Sequence, residues 1–562
     1  MATAKSSRVP PMQTEVLIAG GGPCGLMLAI ELGRRGVHCL LVDQKPGTAF
    51  NPQANATQAR TMEHFRRLGF ANQVRAQGLP PEHPTDIAYL TRFAGIELAR
   101  LRLPTAAQAP QVIKNLSGSW SAAELPHRVS QKFVELVLRE QAQAQASADV
   151  RYGWQLKEFQ DTGSDIEAVV QPLEGGSALS VRASYLVGAD GARSFVRSQL
   201  GIGWEGSSGT KRHFMGGKML AVYLRAPGFY ARNPNERAWM YVVVNPELRA
   251  FIMSVNGQDE FAFHIQMADD AATEALTEAD ARHLFGRAFG QAMEIEILSM
   301  ATWLAGHALV AEKFQQGRVL LGGDAVHLFT PTGGLGYNTA VEDAVNLGWK
   351  LAHVLQGRAP HTLLESYELE RKPLALRNTG YARQFADSIG LFAAAPELEE
   401  DSPAGAQARA VASDYLNGHV RREFNIPGVT FGGRYDHSPL IVADGTAPPP
   451  DAANSYTASA CPGGRPPHAW LADGRSLFDT LHSEWTLLAL GSEPPDTKPF
   501  ELAARALGLD LRVVRHDAPT LATLYEAPLA LIRPDQIVAW RGSDAQLALA
   551  VLRQVSGQLP PR

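Results

Sequence analysis

The 562 residues are 45% hydrophobic and 19% charged, enough for a large core and, at about 150 residues per domain, roughly three or four domains. A formal net charge of −5 argues against nucleic acid or an anionic membrane surface as partner. Cys24, Cys39 and Cys461 make no CxxC and no disulfide framework, and the histidines lack metal-ligand spacing; a protein of the reducing cytoplasm with no metal site is expected. There is no apolar signal core and no run of about 18 apolar residues, so no membrane association is expected.

Residues 1–12 are polar and expected to be disordered. Glu15–Ala19 reads as a strand, followed by Gly20-Gly21-Gly22-Pro23-Cys24-Gly25, a helix over Leu26–Arg35, and a second strand, Val37–Val42, ending at Asp43-Gln44. This is the βαβ dinucleotide fingerprint in its required context. Gly20 permits the tight turn, Gly22 lets the backbone approach a pyrophosphate, Gly25 allows close helix–strand packing, and Asp43 can accept from a ribose. Gln131 opens an amphipathic helix, Lys132–Gln143, with Ser130 as N-cap; it either reaches a phosphate or faces water. A strand over Ala183–Val187 runs into Gly188-Ala189-Asp190-Gly191, and Val319–Leu321 runs into Gly322-Gly323-Asp324. After the latter, a Pro/Gly turn leads to a helix starting near Gly336, whose dipole and loop N–H groups would face an anionic ligand.

Between about 207 and 312 the alternation predicts strands at Lys218–Leu224, Trp239–Val244, Ala250–Val255 and Phe261–Gln266. Tyr223, Arg225, Trp239, Tyr241, His264 and Gln266 are candidate pocket residues or ordinary sheet faces. His213 is a candidate base or part of a surface basic cluster. Helices run to about Arg422, Ala447–Pro450 is a Pro-rich linker, and a small α/β unit follows, with strands at Thr486–Leu490, Leu511–Val514, Leu529–Ile532 and Ile537–Trp540.

GGGPCGLMLAIEL, LVGADGARSFVR and GRVLLGGDAVHLFTPTGGLGYNTAVEDAVNLGWKLA together resemble the single-component FAD-dependent aromatic hydroxylases. These are relatives of para-hydroxybenzoate hydroxylase, and the likeness is nearest to the phenol and polyketide hydroxylases. The resemblance implies an α/β FAD-binding Rossmann-type (glutathione-reductase-like) domain over 13–80, 106–206 and 313–390. It implies an antiparallel β-sheet substrate domain over 81–105 and 207–312, a helical connection and linker over 391–450, and a thioredoxin-like C-terminal domain over 451–562. Without CxxC that last domain cannot run dithiol chemistry, and Pro528 stands where the fold often has a cis proline. The implied cofactor contacts are Gly20, Gly22, Pro23, Gly25, Asp43, Gln44, Arg60, Gln131, Asp190 and Gly191, then Gly323, Asp324, Pro331, Gly334, Gly336, Tyr337 and Asn338. Asn55, Pro331, Tyr223 and Tyr241 are the candidate catalytic residues.

The implied reaction is hydroxylation of a phenolic or polyketide-type ring through a C4a-hydroperoxyflavin, with O₂ and NADPH or NADH as co-substrates and a homodimer as the family's implied state. The sequence departs from the family pattern in GGDAVH for AGDAAH, in Thr330 before Pro331, and in Pro52-Gln53-Ala54 for Pro-Arg-Ala. Asn55 stands where phenol hydroxylase-like relatives carry an acidic or imidazole group. An amide can hold a hydroxyl but cannot deprotonate it, which leaves Baeyer–Villiger or epoxidising chemistry as the alternative.

Overall fold

The computed structural model describes residues 10–207, 217–267 and 276–558. Residues 1–9 and His213 lie outside the described residues. The N-terminal strand starts earlier than expected, at Met12, which pairs with Val181 in the strand Met12–Ala19. Val16, Leu17 and Ile18 are completely buried because this strand is central, parallel to Cys39–Asp43 on one side and to Leu179–Gly188 on the other. A parallel strand covered on both faces reads as a continuous apolar run. Val319–Leu321 adds parallel to the far side of Leu179–Gly188. The three Gly/Asp loops of the sequence therefore leave the carboxyl ends of three adjacent parallel strands, the place where open α/β sheets bind ligands.

The second sheet has seven strands, in the order Glu296–Leu304, Lys218–Arg225, Glu260–Gln266, Arg249–Ser254, Met240–Val244, Ile87–Leu90 and Glu97–Leu101. All pairings are antiparallel except that of Met240–Val244 with Ile87–Leu90, which is parallel. Period-two alternation gives the sheet two different faces. Tyr241, Ile252, Phe261 and Phe263 pack behind it against Phe229, Phe285 and Phe289. Phe251, Met253, Ala262 and His264 face the first sheet and line the cavity between the two.

The C-terminal sheet is thioredoxin-like. Its central strand Trp485–Leu490 is parallel to Leu511–His516 and antiparallel to Leu529–Ile532, which pairs with Val538–Gly542. No peptide bond among the described residues is cis, that before Pro528 included.

This unit is docked by buried charges. Arg465 donates to both oxygens of Glu63, at 2.5 and 2.9 Å. Arg60 also meets Glu63, at 3.1 Å, and donates to the carbonyls of Asp535 and Gln536. The expectation of Arg60 as a cofactor contact is corrected: its guanidinium is held in this interface. Burial alone would raise the Glu63 carboxyl, but Arg465, Arg60 and the Ala123 N–H outweigh it and hold the pKa at about 2. The folded value lies below the ordinary glutamate value of 4.5, so the stabilisation is complete above pH 4.5 and drains as pH falls toward 2, about 3 kcal/mol in all. The melting temperature of the parent is expected to fall steeply across this window. That of Glu63→Gln starts lower and falls less; parallel declines would refute the assignment.

Candidate functional site

A cavity of about 730 Å³ runs from the glycine loop to the inner face of the second sheet. At its first end Gly20, Gly22, Pro23, Asp43 and Gln44 line the wall. The Gly21 N–H donates to Asp43 Oδ2 at 2.6 Å, fixing the carboxylate at the rim. A side chain at Gly22 would meet no atom within 4 Å, so here the backbone itself lies open to whatever fills the groove. Gly25 lies behind the loop, against the Gly20 carbonyl, and serves packing. Gln131 lines the wall, with its amide turned back onto Glu135 at 2.7 Å.

Asp190 and Gly191 form the next part of the wall. The Asp190 carboxylate accepts from the Ser194 hydroxyl and the Val196 N–H, and burial raises its pKa. Asp324 opens onto the cavity, and desolvation by the surrounding protein raises its carboxyl. Gly323 sits just outside the lining. Its N–H donates to buried Asp343 at 3.1 Å, and Asp343 also accepts from His327 Nε2 at 2.7 Å and Arg371 Nε at 2.8 Å. Burial opposes the Asp343 charge, but His327 and Arg371 prevail and lower its pKa. This ionic post holds the Gly-Asp turn from behind.

Pro331, Gly334, Gly336 and Tyr337 line the far end. Gly333 and Gly334 both adopt left-handed backbone, at φ +68° and +64°, which only glycine enters without strain. Glu423 accepts from the Gly333 N–H at 3.1 Å, and Gln58 donates to the Gly333 carbonyl at 2.7 Å. Asn338, expected as a cofactor contact, instead clamps the backbone: Nδ2 donates to Ala56 and Gly334, and Oδ1 accepts from Gln58. The Tyr337 hydroxyl bonds that of Thr57.

Of the candidate catalytic residues, Asn55, Pro331 and Tyr223 line the cavity. Asn55 Oδ1 is buried without a partner. The Tyr223 hydroxyl donates to Glu260 and accepts from Lys132 Nζ at 2.9 Å; burial first, then Glu260, raises its pKa. Tyr241 is corrected: it lies on the opposite face of the sheet, its hydroxyl accepting from the Ala238 N–H at 2.8 Å. The strand starts at Met240, which lines the cavity, so its neighbour Tyr241 points away; Trp239 lies before the strand, outside its alternation. Trp239 and His264 reach the cavity, whereas Arg225 pairs with Glu260 and Glu296 away from it. Sequence reasoning missed Phe251, Met253, Trp303 and Glu423. The first two share one face of their own strand by alternation, but only the pairing of Phe251 with His264 brings that face to the cavity; Glu423 carried no signal in its Ala-rich helix, Pro403–Phe424.

A family model described as FAD binding domain matches residues 13–381, and one described as aromatic-ring hydroxylase, C-terminal, matches 459–558. The chain belongs to the FAD-dependent aromatic-ring hydroxylases. It is 30% identical to phenol 2-monooxygenase of Pseudomonas sp. (strain EST1001), over 97% of this chain and 92% of that protein. It is 31% identical to aklavinone 12-hydroxylase RdmE of Streptomyces purpurascens, over 97% and 99%. The solved structure of the rebeccamycin biosynthetic enzyme RebC with reduced flavin superposes with a TM-score of 0.86 at 32% identity, covering 98% of this chain and 100% of that one. As a member of these hydroxylases the protein is an FAD-dependent monooxygenase, and its residues fit the cofactor: the open backbone at Gly22 and the carboxyl of Asp324 face one continuous groove. Among the described residues no helix is long and apolar enough to cross a membrane.

Proposed function

We propose that this hydroxylase adds oxygen to a phenolic or polyketide-type ring, using FAD, O₂ and NADH or NADPH. The observation that carries the reading is the single cavity joining the cofactor groove to an aromatic sheet face of Trp239, Phe251 and His264. Asp43 would hold the adenosine ribose, the Gly22 backbone the pyrophosphate, and Asp324 the ribityl chain. The bound flavin, reduced by the nicotinamide nucleotide, supplies the oxygen-activating chemistry. The helix Gly336–Leu355 starts at the cavity, and its positive end would stabilise negative charge on the flavin ring. Pro331 would pack beside the ring and exclude water. Asn55 Oδ1 would accept the substrate hydroxyl and orient it, leaving the proton in place. Tyr223, tied to Glu260 and Lys132, would close the wall rather than take a proton. The named activities of the relatives favour hydroxylation over Baeyer–Villiger insertion.

The test is NADH and NADPH oxidation by the flavin-loaded protein, with and without a panel of phenols and hydroxynaphthalenes. Products are weighed for one added oxygen. Ligand-stimulated oxidation with a product one oxygen heavier is expected. Oxidation indifferent to every ligand would count against the reading.

A further inference from the structure

His264 sits in the strand Glu260–Gln266, on the face that lines the cavity. Its ring stacks on Phe251 of the neighbouring strand, with centroids 4.6 Å apart and planes 10° apart, and meets Trp303 edge-on at 6.0 Å. These neighbours fix the ring plane without engaging either nitrogen. Nδ1 is closed off and has no hydrogen-bond partner, so Nε2 is the nitrogen the cavity can reach. Burial keeps the ring neutral, its pKa lowered to about 4. A neutral imidazole has one N–H and one lone pair. An orphaned N–H in the interior is the rarer defect, which places the proton on Nε2 and the lone pair on Nδ1.

We infer that His264 is a specificity-determining hydrogen-bond donor, its Nε2–H binding a ring-conjugated carbonyl oxygen of the substrate. The inference rests on the hydroxylase reading. It gives His264 no part in proton abstraction, because the free lone pair faces away from the cavity. Asn55 Oδ1, buried and unpartnered on the loop side, offers the complementary acceptor. A ring carrying both a carbonyl and a hydroxyl satisfies the two together.

Two probes that differ only at the carbonyl test this: 6-hydroxy-1-tetralone, and 5,6,7,8-tetrahydro-2-naphthol, which has a methylene there. Dissociation constants are measured on the oxidised, flavin-loaded enzyme by perturbation of the flavin absorbance. The parent is expected to bind the ketone about tenfold more tightly, the loss read when a buried donor goes unpaired. In His264→Phe, which keeps the stack on Phe251, the ratio should fall to about one. Equal affinity of the parent for both probes, including binding of neither, overturns the inference, as does a ratio that survives the substitution. Should His264→Phe fail to load flavin, nitrogen chemical shifts of histidine-labelled parent decide: an Nδ1–H tautomer overturns the inference, and the Nε2–H tautomer together with the parent's ratio supports it. Nucleotide oxidation by the same preparations reads the hydroxylase function separately. Turnover without carbonyl preference sinks this inference alone, whereas no turnover with any arene sinks the reading beneath it.

Discussion

Gly25→Ala is expected to yield a protein that retains little or no FAD. A Cβ at this position would lie 1.9 Å from the Gly20 carbonyl oxygen. That oxygen belongs to backbone and cannot swing aside, so the helix Pro23–Gly33 must back away from the strand Met12–Ala19 and carry the phosphate-facing loop with it. Overpacking of this kind costs about 1–3 kcal/mol or more, which on cofactor affinity alone is roughly 5- to 150-fold. Flavin absorbance relative to protein absorbance in the purified variant reads the effect. Gly22→Ala is the informative companion, because its Cβ meets nothing within 4 Å in the protein. The apoprotein of Gly22→Ala should melt with the parent and still bind FAD poorly, since only the cofactor comes close there. If Gly22→Ala binds FAD as the parent does, the pyrophosphate does not approach that backbone.

Glu370→Ala is expected to be the most destabilising single change outside the cofactor loop. The carboxylate is fully enclosed and accepts from Lys350 at 2.7 Å, from both terminal nitrogens of Arg533 at 2.7 and 2.8 Å, and from Asn346 and Ser438. Burial would raise its pKa, but Arg533 and Lys350 win and hold it far below the ordinary carboxylate range. Removing it strands Lys350 in a dry interior and leaves Arg533 to Asp535, at a cost of about 3–5 kcal/mol. The melting temperature and the flavin content should fall together, because Lys350 stands on the helix that begins at the flavin turn. Replacing Glu370, Lys350 and Arg533 by methionine together with Asp535, the second carboxylate on Arg533, by asparagine should cost less than Glu370→Ala alone, because no charge of the cluster is then left unpaired. If the quadruple replacement is the worse of the two, the cluster is held by packing rather than by charge.

The βαβ fingerprint, the two later Asp loops and four of the seven strands of the second sheet were legible in the residues alone. Each is a local pattern: an apolar run stopped by glycine, or an alternation of period two. The sequence did not determine that the three loops meet. That follows from Val319–Leu321 and Met12–Ala19 flanking the same strand, Leu179–Gly188, across long stretches of chain. Alternation from Trp239 puts Tyr241 on the same face, but the strand begins only at Met240, because the N–H groups of Trp239 and Met240 both reach the Asp86 carbonyl, and so Tyr241 points the other way. Arg60 and the polar stripe Asp343, Asn346 and Lys350 are the clearest case. Beside a helix, such residues look like a ligand contact or a solvated face. In the tertiary structure they are buried against Glu370, Arg371, Arg533 and Asp535. A buried charge is tolerated only with a partner, and these partners come from segments far away in the chain, where no local pattern could announce them.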